Sequence, residues 1–373
     1  MGKVVLAWSG GLDTAICIHW LRNMRNLRVV TFCAQVGQSE SMEPMCERAL
    51  ELGAVAAHVA DLRETFLRDY AFRALRAQAR YGSGYLLSAA LTRPLIVGEL
   101  VRVAYEEGCE YVAHGCRGVG NDQIRFERAI RELDPDLKVL APLQALGLRT
   151  RQDDIDYAHS MNIPVPTPKS TLYNVEENLW GVSICLDRVK DLWSEAPADS
   201  FVIITQPGEA PDRSSYVEIG FQSGIPTMLD GRDPGPVRML ETLNQVGGRH
   251  AIGRKEVVES RVLGAKSREI YEAPGATVLY AAHQAIEEIT LDRETLRLNN
   301  HLGREYGQIV YEGGWYSPLR DALDGYYERS QKVVTGDVRM KLHRGTLSVA
   351  GRRSPHSLYH DEAARPQAAQ SRK

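Results

Sequence analysis

The sequence predicts an α/β protein, with an N-terminal Rossmann-like parallel-sheet domain followed by a C-terminal α+β domain. The 373 residues are enough for two domains at roughly 150 residues each. Short β-branched runs alternate with amphipathic stretches in the first part of the chain, and later runs pair as hairpins. The predicted domains cover residues 1–165 and 166–359, and the polar residues 360–373 are expected to form a disordered tail.

The N-terminal domain is predicted as successive strand and helix units. Its strands are short apolar or β-branched runs at residues 4–8, 28–33, 54–59, 111–114 and 139–141. Helices are predicted after the first strand, over residues 43–52 and over about 63–80. Three prolines within residues 162–169 exclude both helix and central strand, and they mark the domain boundary.

The C-terminal domain shows a different pattern, in which strands pair locally. One hairpin is predicted from residues 216–221 and 225–229, and a second from residues 338–342 and 346–349. Helical periodicity occurs near residues 238–246 and 276–288. This mixture predicts an α+β architecture.

Composition and charge exclude several functional classes. Lys and Arg number 45 against 48 Asp and Glu, so a net charge of -3 directs the chain neither to nucleic acid nor to an anionic membrane. No apolar run approaches the length of a membrane span and no signal-peptide pattern is visible, so we expect a cytoplasmic protein. The 6 cysteines include no Cys-x-x-Cys pair, which argues against a zinc ribbon or disulfide framework.

A glycine-rich turn, SGGLDT at residues 9–14, follows the first predicted strand. Its two adjacent glycines permit close backbone approach, while Ser9, Thr14 and the helix N-terminal amides can direct donors at one anion. The Walker and Gly-x-Gly-x-x-Gly spacings are both absent. The turn is similar to the pyrophosphate loop of enzymes that cleave ATP between its α- and β-phosphates. A tight turn capped by Asp13 is the alternative, and Asp13 is also a candidate outer ligand for magnesium.

Longer motifs then resemble the argininosuccinate synthase family, in the family's order from Lys3 to about Tyr359. They include the turn described above, GNDQIRFE at residues 120–127, SREIYEAPGAT at 267–277 and YSPLR at 316–320. The resemblance implies an AMP-forming carbon–nitrogen ligase with a pyrophosphate-loop ATPase domain and a synthetase and oligomerisation domain. In this family the ureido oxygen of citrulline takes up AMP with release of pyrophosphate, and the amine of aspartate then displaces AMP.

The resemblance also implies the site residues, with ATP and Mg²⁺ as cofactors and the metal carried by the nucleotide. The ATP contacts would be Ala7, Trp8, Ser9, Gly10, Gly11, Leu12, Asp13, Thr14, Ala34 and Gly115. The citrulline contacts would be Tyr85, Asn121, Arg125, Ser183, Glu259 and Tyr271. The contacts of the amine substrate would be Ser88, Arg117, Asn121 and Asp122, and the candidate catalytic residues are Asp13 and Asp122.

The citrulline set is chemically coherent apart from the family. Glu259 can pair with an α-ammonium group, and Arg125 can form two hydrogen bonds to a carboxylate. The alternative for Arg125 is a surface ion pair with Asp122 or Glu127 on its own helix.

Several residues depart from the family pattern, mostly where the phosphates and the amine substrate would bind. The largest change places Arg117 where the family has a threonine that contacts aspartate, which adds a permanent charge. The other departures are Ala15, Gln35, Ser88, Ala89, Val119, Asn174 and Cys185. Neutral drift is the alternative, because losing one hydroxyl often costs only about 1 kcal/mol.

Three functions follow from this pattern. The first is the family's citrulline–aspartate ligation, the second is ligation of a different amine or a different ureido or amide substrate, and the third is a non-catalytic nucleotide-binding protein. A homo-oligomer, tetramer or dimer, is expected, although the family's C-terminal segment, which reaches over neighbouring subunits, is replaced here by residues 360–373. Small molecules are the expected partners, with no nucleic acid and no membrane.

Overall fold

A computed structural model describes residues 1–39, 41–118, 120–165, 174–186 and 191–359. Val119, the linker residues 166–169 and the predicted tail at 360–373 therefore lie outside the described part of the chain. Among the described residues, none of the helices is long and apolar enough to cross a membrane.

Five parallel strands form the sheet of the N-terminal domain, in the order β3-β2-β1-β4-β5. They are β1 (Lys3–Ala7), β2 (Arg28–Gln35), β3 (Ala56–Asp61), β4 (Tyr111–Ala113) and β5 (Lys138–Leu140). The predicted parallel sheet is confirmed. Strand order reverses direction between β1 and β4, which pair directly through Val5 and Val112. In open α/β sheets, ligands bind at such a switch point, beyond the carboxyl ends of the strands.

Eight α-helices surround this sheet in the described N-terminal residues: α1 (Leu12–His19), α2 (Met42–Glu51), α3 (Arg63–Thr65), α4 (Phe72–Arg76), α5 (Ser88–Glu107), α6 (Asn121–Leu133), α7 (Pro142–Ala145) and α8 (Arg151–Ser160). A π-helical segment extends α1 over Trp20–Met24, and another joins α3 to α4 over Phe66–Ala71. The predicted tract to residue 80 was too long, because Gln78 has a φ of 49° and the helix ends at Arg76.

The first turn of α1 differs from the prediction in one respect. Gly11 is the N-cap residue and has no side chain, so Asp13 lies inside the first turn and does not cap the helix. The carboxylate of Asp13 is therefore available to other partners. An acidic group at this position still interacts favourably with the helix dipole.

Two four-stranded antiparallel sheets form the C-terminal domain, in the orders β10-β11-β7-β6 and β13-β12-β8-β9. Their strands are β6 (Asn174–Asn178), β7 (Gly181–Cys185), β8 (Ser215–Gln222), β9 (Ile225–Leu229), β10 (Arg254–Ser260), β11 (Lys266–Glu272), β12 (Gly336–His343) and β13 (Thr346–Arg353). The α-helices are α9 (Pro236–Arg249), α10 (Pro274–Thr290), α11 (Arg293–Tyr311) and α12 (Pro318–Ser330). Both predicted hairpins are confirmed as β8–β9 and β12–β13.

The turn between β6 and β7 packs the C-terminal domain against the N-terminal one. The amide of Leu179 donates a 2.9 Å hydrogen bond to the carbonyl of Val36, just beyond β2. The indole Nε1 of Trp180 donates at 3.0 Å to the carbonyl of Leu86, and the Trp180 side chain is fully buried. One hydrophobic core cluster, which contains Trp180, includes residues of both domains, and a second cluster packs around β1 and α1.

Candidate active site

The glycine-rich loop between β1 and α1 is shaped by its own hydrogen bonds. Ser9 Oγ lies 3.1 Å from Thr14 Oγ1, and Thr14 Oγ1 donates to the carbonyl of Gly11 at 3.2 Å. Gly10 has a φ of 73°, and a Cβ there would lie 2.7 Å from Met45 Cε. The positive φ at position 10 therefore favours glycine, and the first amides of α1, which have no intrahelical partner, follow directly after the loop.

The remaining predicted ATP contacts surround this loop. Ala7 ends β1, and Ala34 lies near the end of the adjacent strand β2. A Cβ on Gly115 would lie 3.1 Å from Thr14 Cγ2, so the segment after β4 closely approaches α1. Trp8 and Leu12 are buried. Their side chains belong to the core, and only their backbone atoms are available to a nucleotide.

Four charged side chains meet beside this loop. Arg117 Nη2 lies 2.8 Å from Asp13 Oδ2, and the same nitrogen contacts Asp154 Oδ2. Arg151 Nη1 lies 3.1 Å from Asp13 Oδ1. Burial and the charge of Asp13 raise the pKa of Asp154 to about 6, although Arg117 acts in the opposite direction. Both oxygens of Asp13 are thus engaged by arginines.

The N-terminal turn of α6 carries a second cluster of charges. Asp122 accepts hydrogen bonds from Arg93 Nη2 at 2.6 Å and from Arg125 Nη1 at 3.0 Å. Burial raises the pKa of Asp122, but the two guanidinium groups outweigh it and hold the pKa well below its usual value. Arg93 also lies 2.7 Å from Glu176 Oε2. Arg125 is only 4% exposed, so its pair with Asp122 is not a surface ion pair.

Glu259 on β10 is the acidic centre of the predicted citrulline site. Its two carboxylate oxygens accept hydrogen bonds from Tyr271 at 2.6 Å and from Tyr311 at 2.7 Å. Burial and nearby charge raise the pKa of both phenols well above the usual value, so both hydroxyls remain protonated donors. The ring of Tyr85 stacks on Tyr271 with centroids 4.0 Å apart.

Tyr311, the last residue of α11, is a site residue that sequence reasoning missed. Its hydroxyl accepts a 2.8 Å hydrogen bond from Asn121 Nδ2 while donating to Glu259. Its carbonyl accepts from Arg125 Nε at 2.9 Å, and the Arg125 guanidinium lies 4.9 Å from the ring centroid. Tyr311 thus connects three of the predicted citrulline contacts. Its only signal in the sequence is its closeness to the YSPLR motif, five residues further on.

The two predicted substrate sets meet at a pair of hydroxyls. Ser88, assigned to the amine substrate, has its Oγ 3.3 Å from Ser183 Oγ, assigned to citrulline. Tyr85, Ser88 and Tyr271 also line one cavity of about 1140 Å³. Ala89 has no hydroxyl, but its amide donates to Tyr85 Oη at 2.9 Å. Of the departures from the family pattern, Asn174 and Cys185 face each other across β6 and β7.

The structure therefore groups the predicted site residues into two clusters. The loop cluster contains the ATP set and Arg117, and the pocket cluster contains the citrulline set with Ser88, Asp122 and Tyr311. Within the described part of the chain, no hydrogen bond or ion pair joins Arg117 to Asn121 or Asp122. No group of three or more His, Cys, Asp or Glu residues is arranged for a metal ion among the residues that the structure describes.

Comparisons with known proteins gave matches over most of the chain. Residues 3–164 match the family model described as "Arginosuccinate synthase N-terminal HUP domain", and residues 173–371 match "Arginosuccinate synthase C-terminal domain". The argininosuccinate synthase of Desulfitobacterium hafniense is 46% identical over 364 residues, covering 98% of this chain and 91% of the relative. The enzyme of the same name from Aquifex aeolicus is 46% identical, covering 97% and 90%.

A solved structure, a 4-thiouridine synthetase–RNA complex with bound ATP, is 17% identical and has a TM-score of 0.32. It covers 43% of this chain and 41% of that one, and the similarity is too low to carry an argument.

Proposed function

We propose a ligase reaction from one premise, which the sequence matches establish: this chain belongs to the argininosuccinate synthase family. The enzyme joins the ureido carbon of citrulline to the amine of aspartate at the expense of ATP. The ureido oxygen forms a bond to the α-phosphorus, and the bond to the β-phosphate breaks with release of pyrophosphate. The aspartate amine then attacks the activated carbon, and AMP leaves with the former ureido oxygen.

One observation carries the assignment of the substrate pocket. Arg125 is buried, and it donates through Nε to the carbonyl of Tyr311 and through Nη1 to Asp122. Its Nη2 is buried without a hydrogen-bond partner among the described residues. A buried donor in this state is costly, since native proteins satisfy most such groups. The carboxylate of an amino acid substrate would supply the missing acceptor, while Glu259 would pair with the α-ammonium group.

Asp122 acts on the amine substrate through its charge in this proposal. Two arginines hold its pKa low, so it is ionised at neutral pH and is a weak base. It therefore attracts and orients an ammonium group more effectively than it removes a proton from one. Asn121 and Ser88 complete the amine site.

Positioning is the main requirement of the first half-reaction, because adenylyl transfer depends on alignment and on stabilisation of charge. The loop amides, with Ser9 and Thr14, bind the nucleotide phosphates. Both oxygens of Asp13 are engaged by arginines, so Mg²⁺ would be carried by ATP, whose phosphate oxygens would hold it. We also propose that residues 1–165 form the nucleotide domain and 166–359 the synthetase domain, in a cytoplasmic homo-oligomer of two or four chains.

The decisive experiment supplies purified protein with Mg-ATP, citrulline and a panel of amines, and it follows pyrophosphate and AMP. Release that depends on aspartate supports the proposal. Release with another amine alone would assign a different amine substrate, and absence of release across the panel would point to a nucleotide-binding protein without ligase activity. Glu259→Gln keeps the size of the side chain and removes its charge. We expect it to raise KM for citrulline while KM for ATP stays near the wild-type value.

A further inference from the structure

Arg117 lies at the switch point of the parallel sheet. It follows β4, on the segment in which Gly115 approaches Thr14, and its guanidinium lies 2.8 Å from Asp13 in the first turn of α1. Ligands of open α/β sheets bind in this crevice, between the carboxyl ends of the two central strands. The phosphates that the loop binds would therefore be direct neighbours of this guanidinium.

The guanidinium of Arg117 is paired with two carboxylates, yet the buried ion pair with Asp154 leaves polar atoms without hydrogen-bond partners among the described residues. Asp154 is fully buried on α8, and one of its oxygens contacts Arg117. The other oxygen, Asp154 Oδ1, is buried without a hydrogen-bond partner among the described residues, as is Arg117 Nε. Asp154 therefore fixes the guanidinium from the protein side. Asp13 holds it from the side of the loop, where Arg151 is a second cation that can keep Asp13 paired.

The amine substrate is a poor fit to this position. The predicted amine contacts Asn121 and Asp122 belong to the pocket cluster. There Asn121 donates to Tyr311 and accepts from the amide of Val262, and Asp122 accepts from Arg93 and Arg125. Arg117 instead forms its ion pairs with Asp13 and Asp154 in the loop cluster. Because Arg117 lies beside the glycine-rich loop, a ligand bound by that loop can reach its guanidinium.

We propose that Arg117 binds the β- and γ-phosphates of ATP and stabilises pyrophosphate as it leaves, with Asp154 as its positioning residue. This inference rests on the proposed function. As the ureido oxygen bonds to the α-phosphorus, the electron pair of the breaking bond moves onto the pyrophosphate oxygen. Arg117 remains protonated throughout and faces that developing charge. Fixed cations at such positions commonly accelerate phosphoryl transfer by orders of magnitude.

The test compares Arg117→Thr and Arg117→Lys with a control, Arg131→Thr. Arg131 is exposed on α6, ten residues or about 15 Å along the helix from its start, and its replacement changes the charge equally. Calorimetry measures the Kd of Mg-pyrophosphate and of Mg-ATP without citrulline or amine. Steady-state kinetics measure KM for aspartate and the rate of citrulline-dependent ATP–pyrophosphate exchange.

We expect Arg117→Thr to weaken pyrophosphate binding at least tenfold and to slow the exchange about 100-fold, with KM for aspartate within twofold of wild type. Arg117→Lys should recover part of both losses, and the control should change neither. A raised KM for aspartate with unchanged pyrophosphate binding would overturn the proposal and place Arg117 in the amine site. Unchanged values throughout would also overturn it.

Folding must be kept separate from binding, because Arg117→Thr leaves the carboxylate of Asp154 buried without its cation. The double variant Arg117→Thr/Asp154→Asn removes that charge, and it should show the same loss of pyrophosphate binding in a folded protein. The calorimetric readout needs neither citrulline nor aspartate. A further outcome is that the wild type forms no argininosuccinate while Arg117→Thr still binds pyrophosphate more weakly than the wild type does. In that case the proposed reaction is wrong and the inference about Arg117 stands.

Discussion

Replacing Tyr311 by Phe tests the pocket cluster with the loss of a single oxygen. The ring that packs under Arg125 and against Tyr81 is retained. The hydroxyl that donates to Glu259 at 2.7 Å and accepts from Asn121 at 2.8 Å is removed. Glu259 keeps its other donor, Tyr271, so its side chain remains in place but is less firmly oriented.

The size of the effect follows from the type of hydrogen bond. A hydrogen bond to a charged group contributes about 1.5–3 kcal/mol, and each 1.4 kcal/mol is a factor of ten. Tyr311 acts on citrulline only through Glu259, so this energy sets an upper limit, and KM for citrulline should rise more than about threefold and by no more than about 150-fold. Tyr311 orients Glu259, which in the proposed function binds the end of the substrate that does not react. It therefore contributes equally in the ground state and the transition state, and kcat should change little.

Tyr81→Phe is the matched control for this experiment. Tyr81 stacks on Tyr311 with centroids 3.4 Å apart, but its hydroxyl donates to a backbone carbonyl, that of Ser260, at 2.6 Å. Its loss should lower the free energy of unfolding by about 1 kcal/mol and change KM for citrulline less than threefold. The role assigned to Tyr311 is refuted if Tyr311→Phe has a wild-type KM for citrulline, or if both variants raise KM equally.

Two further predictions concern the loop and a buried acid. Gly10→Ala should weaken ATP binding and lower the melting temperature by calorimetry, because alanine is strained at this positive φ and the end of the Met45 side chain must shift to admit its Cβ. Gly82→Ala is the control: it is also at positive φ but in open space, so it should cost only about 1 kcal/mol and bind ATP normally. Burial raises the pKa of Glu287 to about 7, above its unfolded value, so its contribution to stability is present at low pH and is lost as pH rises through 7. In urea titrations, the free energy of unfolding of the wild type should fall between pH 5 and pH 8, and Glu287→Gln should reduce that fall. If the variant shows the same dependence of unfolding free energy on pH, other groups cause the fall.

The parallel sheet and both hairpins could be predicted because short β-branched runs and turn residues encode them locally. Helix α5 could not. Its apolar side chains are buried on most sides, so they show no amphipathic stripe, and Pro94 lies in its interior. Proline normally ends a helix, since it removes one backbone hydrogen bond. Tyr316 of the other domain donates a 2.9 Å hydrogen bond to the carbonyl of Pro94, a contact with the middle of α5 that no local pattern reveals.

Among the site residues, too, features formed by neighbouring residues could be predicted, and contacts between distant parts of the chain could not. The glycine-rich loop could be identified from its own six residues, because its chemistry is contained in one turn. The partner of Arg117 could not, since Asp154 lies on α8, 37 residues away in sequence. The proposed capping role of Asp13 was wrong because the N-cap lies two residues earlier, at Gly11. The Asp13 carboxylate instead pairs with arginines from other segments of the chain.

The pocket cluster also lies where the two domains meet, which links substrate binding to domain packing. From α6, Asn121 accepts a hydrogen bond from the amide of Val262 at 2.9 Å, and Arg125 donates to the carbonyl of Tyr311. Both acceptor and donor lie on the backbone of the C-terminal domain. Asn121 also donates from Nδ2 to the hydroxyl of Tyr311, so both of its polar atoms join the domains, whereas Arg125 keeps Nη2 for the pocket. Arg125 Nη2 is buried without a partner among the described residues, so a bound carboxylate would satisfy this donor. It would also hold the Arg125 side chain in the position from which Nε bonds the C-terminal domain. Substrate binding should then stabilise the packing of the two domains.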